Sequence, residues 1–292
     1  MPRAVTRREA LARLAVAGAS LPLLAAGNAV GIADIMPRSD LGVSPIKYTL
    51  GIASYSLRGL PLTQALQAVR RVGLEFVSVN RAHLPWENPP AGWEATLAKF
   101  KEAGVTPRCC GVITLKNDEA AVRGACEYAR KLGVPMIACS PEPEALPLLE
   151  RYLNQYDLRA AIHNHGPEDR LWAAPRDVWE AVKDRDPRLG MCLDVGHAFR
   201  SGADPADCIR RYRDRLLDVH LKDSTAAVGA EDVPVEIGRG YLDQRAIVRA
   251  LREVGYGRMV WFEYEKSPDD PLPGLAESVG FIRGLTQGLL SG

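Results

Sequence analysis

The sequence predicts an α/β fold, a (β/α)8 TIM barrel, from three observations on its 292 residues. From residue 46 onward, short apolar or β-branched runs alternate with stretches whose apolar residues recur at three-to-four spacing. The runs number eight. Gly73, Gly104, Gly133 and Gly255 each close a helical stretch just before a run, where a left-handed C-cap is needed. Eight β-then-α units match a closed barrel of about 250 residues, and a doubly wound open sheet is the structural alternative.

The eight runs, in order, are IKYTLGIAS, LEFVSVN, VTPRCCGVI, VPMIACS, LRAAIHN, RLGMCLD, LLDVHLK and RMVWFEY. Between them LTQALQAVRRVG, GWEATLAKFKEAG, DEAAVRGACEYARKLG and DQRAIVRALREVG carry the helical periodicity. Residues 224–241 read as one long loop, and no Gly-, Ser- or Pro-rich linker divides residues 46–292, which form a single barrel domain.

The N-terminal segment is a separate matter. Arg7 and Arg8 precede an apolar, Ala-rich run from Leu14 to Ala26, followed by small residues at Gly27 and Ala29. Charge followed by a short apolar stretch and a small-residue site predicts a cleavable export signal over residues 1–29, and the arginine pair resembles the twin-arginine type. The run is too short for a membrane span. Residues 30–45 then form a linker, and the mature protein is expected in the periplasm without a membrane anchor.

Composition is that of a globular protein, with 47% hydrophobic and 25% charged residues. Basic side chains number 37 and acidic ones 36, a net charge of +1 that provides no basic surface for nucleic acid. Cys109, Cys110, Cys126, Cys139, Cys192 and Cys208 show no C-x-x-C spacing and read as buried free thiols, though an exported protein could pair some of them.

Catalytic residues of a (β/α)8 barrel sit at the C-terminal ends of its strands. All five histidines fall there: His83 after the second run, His163 and His165 at the fifth, His197 after the sixth and His220 on the seventh. Asp194 ends the sixth run and Glu263 lies in the eighth. Alternation along the strands places His163, Asp194, His220 and Glu263 toward the barrel axis, and Ile162, Leu193, Val219 and Phe262 toward the helices. Each histidine alone could be an ordinary hydrogen-bonded one. As a set, two imidazoles and two buried carboxylates suit a divalent Mn, Fe, Co or Zn ion.

LDVGHAFRSG, then DVHLKD, then VWFEYE resemble the xylose-isomerase-like superfamily of sugar phosphate isomerases and epimerases, from LGIASYSLR to the last helix. The resemblance implies a TIM barrel in which His163, Asp194, His220 and Glu263 bind the metal, with His197 touching substrate. It departs at one place: IHNH puts His163 where many members have a glutamate, one half of their two-base pair. His163 would then bind metal, Asn164 would face the helical shell, and His165 would lie in or beside the substrate pocket.

The expected chemistry is proton abstraction beside a sugar carbonyl through a metal-stabilised enediolate, with Glu263 as base or ligand. Lys222 either polarises a substrate oxygen or is a solvated lysine paired with Asp223; Glu265 sits beyond the strand end. Glu142 in CSPEPEALP is either a second catalytic carboxylate or an acid favoured by a helix N-terminus. His83 and Trp86 in NRAHLPW either contact the sugar, Trp86 by stacking, or simply pack a loop. The leading reading is a sugar isomerase or epimerase. A lyase or hydratase eliminating from a 3-keto-glycoside is the alternative suited to one missing base. An abasic-site endonuclease and a non-catalytic sugar-binding module are the remaining classes. The expected partner is a small carbohydrate, and oligomeric state is left open.

Overall fold

Eight parallel strands close into a barrel in the computed structural model, which describes residues 46–87, 92–226 and 228–291. The export signal and linker expected over residues 1–45 lie outside the described residues. The strands are β1 (Thr49–Ala53), β2 (Phe76–Val79), β3 (Thr106–Leu115), β4 (Met136–Pro141), β5 (Arg159–His163), β6 (Leu189–Asp194) and β7 (Leu216–Leu221). Two short strands, β8 (Asp223–Ser224) and β9 (Pro234–Val235), precede β10 (Met259–Phe262), which closes the barrel between β7 and β1. Among the described residues, no helix is long and apolar enough to cross a membrane.

Helices fill the connections because their sequences are amphipathic and capped. Asp118, Asp204 and Asp243 each accept a backbone N–H in the first turn of the helix they precede, a bond worth about 1 kcal/mol. Gly133, at φ 76°, ends the helix Glu119–Leu132 in a left-handed conformation that a side chain would strain.

Strand alternation then sorts the side chains. Ile162, Leu193, Val219 and Phe262 belong to the large apolar layer shared with the helices. Ala53, Cys109, Ala138 and Trp261 pack inside the barrel, as do Ala161, Cys192 and Leu217. Each fully buried Ile, Leu, Val or Phe contributes roughly 1.5–3 kcal/mol. The register shifts at three strand pairs, and the shift against β6 between Met191 and Cys192 leaves Leu217 against Cys192 while Asp218 meets Cys109 and Trp261. All six cysteines are buried and unpaired.

The long loop expected over residues 224–241 is instead partly ordered as an antiparallel ribbon, β8 against β9. Two-residue strands carry no readable period, so the sequence could not announce them. Asp223 holds the ribbon in place, its carboxylate accepting from the N–H of Gly238 at 2.9 Å and of Leu242 at 3.2 Å.

Candidate metal centre

The last residues of β5 and β6, together with His220 of β7 and Glu263 just after β10, converge at the C-terminal mouth of the barrel. One donor atom from each of His163, Asp194, His220 and Glu263 lies within 4.8 Å of the other three. All four are buried: Asp194 is fully enclosed and Glu263, the most open, is 7% exposed.

Asp194 shows how the fold assembles the group. Its Oδ1 caps the helix Val195–Arg200 by accepting the N–H of His197 at 2.8 Å, which turns Oδ2 inward. Its backbone is gripped by Asn164, whose amide accepts from Asp194 N–H at 2.9 Å and donates to Asp194 C=O at 3.1 Å. Asn164 is thus a bridge between β5 and β6, a role the residue order did not reveal.

Three ring nitrogens here have no hydrogen-bond partner: both of His163 and Nε2 of His220. Buried polar atoms without partners are costly, and three in one cluster mark a place for something that binds them. His163 Nε2 lies 3.5 Å from Asp194 Oδ2 and 3.9 Å from Glu263 Oε2. Two ligands about 2.1 Å from a common ion at a tetrahedral angle would be about 3.4 Å apart, so the group fits a divalent ion. Imidazole nitrogens favour a transition metal over magnesium.

Lys222 complicates this picture. It is not solvated and not paired with Asp223. Only 2% of its side chain is exposed, and its Nζ lies 3.1 Å from Asp194 Oδ2, 3.2 Å from Glu263 Oε2 and 2.5 Å from Glu265 Oε1. Asp223, its sequence neighbour, is turned away to the ribbon. The ammonium is therefore a built-in cation among three carboxylates. Burial opposes the charge on Asp194 and on Glu263, but Lys222 and the nearby histidines hold both carboxyls well below their usual range. Burial likewise opposes charge on His220, yet Glu263, 3.0 Å from its Nδ1, raises it to about 9.

His165 and His197 form the next layer. His165 is 31% exposed and lies with its ring centre 4.5 Å from that of His163. Burial first, and then His163, lower it to about 4, so it is neutral at pH 7. Burial and Lys222 hold His197 neutral as well. Arg200 approaches His197 Nδ1 at 3.1 Å, and a guanidinium can only donate, so Nδ1 accepts and Nε2 carries the hydrogen. The 3.4 Å approach of Lys222 Nζ to Nε2 is then a contact and not a bond. Arg200 is itself buried and also reaches Glu168 and the carbonyl of Ala230. It was invisible in the sequence, where an arginine in a helix reads as surface.

Three other candidates are placed elsewhere. His83 donates through Nε2 to the carbonyls of Leu57 and Leu60 and bonds Ser54 Oγ through Nδ1, which ties the first two strand-end loops together. Trp86 stacks under the guanidinium of Arg81 at 5.4 Å. The Glu142 carboxylate accepts the backbone N–H of Asn117 at 2.8 Å. These contacts favour the loop-packing alternative for His83 and a loop-bridging one for Glu142.

A family model described as xylose isomerase-like TIM barrel matches residues 66–285. The chain belongs to that family. An uncharacterized protein of Methanocaldococcus jannaschii is 29% identical over 103 residues, 34% of each chain. The inosose dehydratase of Lacticaseibacillus casei is 26% identical over 125 residues, 38% of this chain and 42% of that one. The matched segments thus span well under half of these relatives. Among solved structures, the IolI protein with a bound zinc atom aligns with a TM-score of 0.69 at 16% identity, over 83% of this chain and 98% of that one. The 3-keto-D-glucoside 4-epimerase of E. coli aligns at 0.66 and 16% identity, over 82% of this chain and all of that one. Both solved structures share the barrel fold of this chain.

Proposed function

We propose that this barrel is a divalent-metal-dependent enzyme that removes a proton from the carbon beside the carbonyl of a small carbohydrate, in an isomerase- or epimerase-type reaction. The observation that carries the reading is the convergence of His163, Asp194, His220 and Glu263, with ring nitrogens of both histidines left without partners. The zinc in the IolI structure supports a metal, and the names of the relatives support a sugar.

His163, Asp194, His220 and Glu263 would hold the ion, which supplies Lewis acidity toward charge growing on the carbonyl oxygen. Glu263, held ionised at neutral pH by Lys222 and His220, is our candidate for the base that takes the proton. With Lys222 at 3.2 Å it is a weak base; drawing the ammonium toward Glu265 and a substrate oxygen raises its basicity. His197 presents Nε2–H toward the site, and neutral His165 lies at its open side, both suited to sugar hydroxyls.

A second reading rests on His163. With an imidazole ending β5, the opposite face of the substrate lacks the glutamate of a two-base pair. One base suffices to eliminate a leaving group β to a carbonyl, so a lyase or hydratase acting on a 3-keto-glycoside is the alternative. A nucleic-acid substrate is disfavoured: both potential metal groups among the described residues share His163 and His220, which is one centre, and the net charge is +1. We propose in addition that residues 1–29 direct export to the periplasm.

The test is incubation of metal-loaded enzyme in deuterated water with aldoses, ketoses and 3-keto-glycosides. Deuterium at the α-carbon with an isomer or epimer supports the leading reading. An unsaturated product supports the second. Neither exchange nor turnover across the panel counts against both.

A further inference from the structure

The opposite mouth of the barrel holds a second constellation that the metal chemistry does not use. A cavity of about 270 Å3 opens there, walled by residues at the starts of the strands, among them Thr49, Phe76 and Met136. Its floor is Trp261, Cys109 and Asp218, with Trp261 Nε1 donating to Asp218 at 2.7 Å. Three arginines complete the walls: Arg108 on β3, Arg159 at the start of β5 and Arg258 just before β10.

None of these arginines has a carboxylate partner among the salt bridges of the described residues. The Arg108 guanidinium lies over the ring of Phe76, at 5.4 Å. Burial, and then the charge on Arg159, oppose the charge on Arg258 more than Tyr256 and the buried Asp218 favour it. The acid lining the cavity is Asp218, which is buried beneath Trp261 and Cys109; Asp157 lies in an adjoining groove that shares Arg159 and also contains Arg188. Arg159 and Arg258 repel one another, and the exposed Arg108 lines the same cavity from β3. The arrangement becomes favourable when an anion sits between them, because guanidinium groups bind oxyanions through paired hydrogen bonds.

We propose that the N-terminal mouth of the barrel is a binding site for a small, multiply charged oxyanion of the phosphate-monoester class, held by Arg108, Arg159 and Arg258. The volume is below the roughly 300–1,000 Å3 of pockets for drug-sized ligands, so the ligand is small. The site is separate from the metal centre: Arg159 and His163 are the first and last residues of β5, about 13 Å apart along a strand that rises roughly 3.3 Å per residue.

Calorimetric titration with inorganic phosphate and with glycerol 3-phosphate, against chloride at equal ionic strength, tests this. The expected result is saturable binding that persists in Asp194→Ala, which removes any anion held through the metal. Affinity should fall by at least about tenfold in Arg108→Gln/Arg258→Gln. Tighter binding of glycerol 3-phosphate than of phosphate would identify an ester as the ligand, and equal binding the free oxyanion. The melting temperature of the double variant in chloride should equal or exceed that of wild type, since repelling charges are removed. Binding unchanged in the double variant, binding lost in Asp194→Ala, or no saturation at millimolar phosphate would overturn the proposal.

Discussion

The side-chain amide of Asn164 bonds both backbone groups of Asp194, at 2.9 and 3.1 Å, from the neighbouring strand. Asn164 is fully buried and Asp194 is one of the four proposed ligands, so the amide fixes where that carboxylate starts from. Asn164→Ala strands a buried N–H and a buried C=O, each costing about 1–3 kcal/mol. Metal affinity should fall about 10- to 100-fold, as it does when groups supporting metal ligands are removed, with all four ligands still present. A competition titration against a chelator reads this directly. Unchanged affinity would make Asn164 a purely structural bridge.

His163→Glu restores a carboxylate at the end of β5. An oxygen ligand replaces a nitrogen one, so bound metal should persist. If the imidazole biases the enzyme away from two-base chemistry, the variant gains deuterium exchange at a keto-sugar α-carbon and loses elimination. An unchanged ratio of the two would remove the role given to His163 and leave the ligand set standing.

Lys222→Met takes the ammonium out from among Asp194, Glu263 and Glu265. Metal-free protein should lose about 3–5 kcal/mol of stability, because three carboxylates are left without their cation. Added metal should recover much of that loss, and metal affinity should rise, since the ion no longer competes with a resident charge. Chemical denaturation with and without metal separates these effects. A variant as stable as wild type without metal would show that Lys222 is not the counter-charge.

Glu236, in the loop after β7, accepts from Tyr264 at 2.9 Å and pairs with Lys266. Burial opposes its charge, but these partners hold its carboxyl at about 2, below the ordinary 4.5. A carboxyl with a depressed folded-state pKa contributes stability above about pH 4.5 that is lost as the pH falls toward 2. Glu236→Gln should therefore lower the urea midpoint at neutral pH, with the gap to wild type closing between pH 4.5 and 2. A gap of constant size across that range would assign the effect to packing.

The sequence made the barrel and its inward faces legible because both rest on short-range periodicity. Ile162 next to His163, and Val219 next to His220, follow from the period of two. What joins distant segments was not legible. Lys222 reads naturally beside Asp223, yet its partners lie 28 to 43 positions away in sequence at Asp194, Glu263 and Glu265. Asn164 looked like a shell residue because its bonds go to a backbone thirty positions on. His83 could be read either as touching the sugar or as packing a loop, and only the folded loop shows both of its nitrogens engaged. The shift that brings both Leu217 and Asp218 inward breaks the period of two on which the reading of the faces rests.

The central claim is one divalent ion held by His163, Asp194, His220 and Glu263, and elemental analysis of the purified protein tests it most directly. After equilibration with Mn, Fe, Co and Zn and removal of free metal, wild type should hold one ion per chain, while Asp194→Ala and His220→Ala, folded by circular dichroism, should hold far less. Wild-type protein that binds none of the four metals, or an Asp194→Ala variant that keeps a full complement, would contradict it.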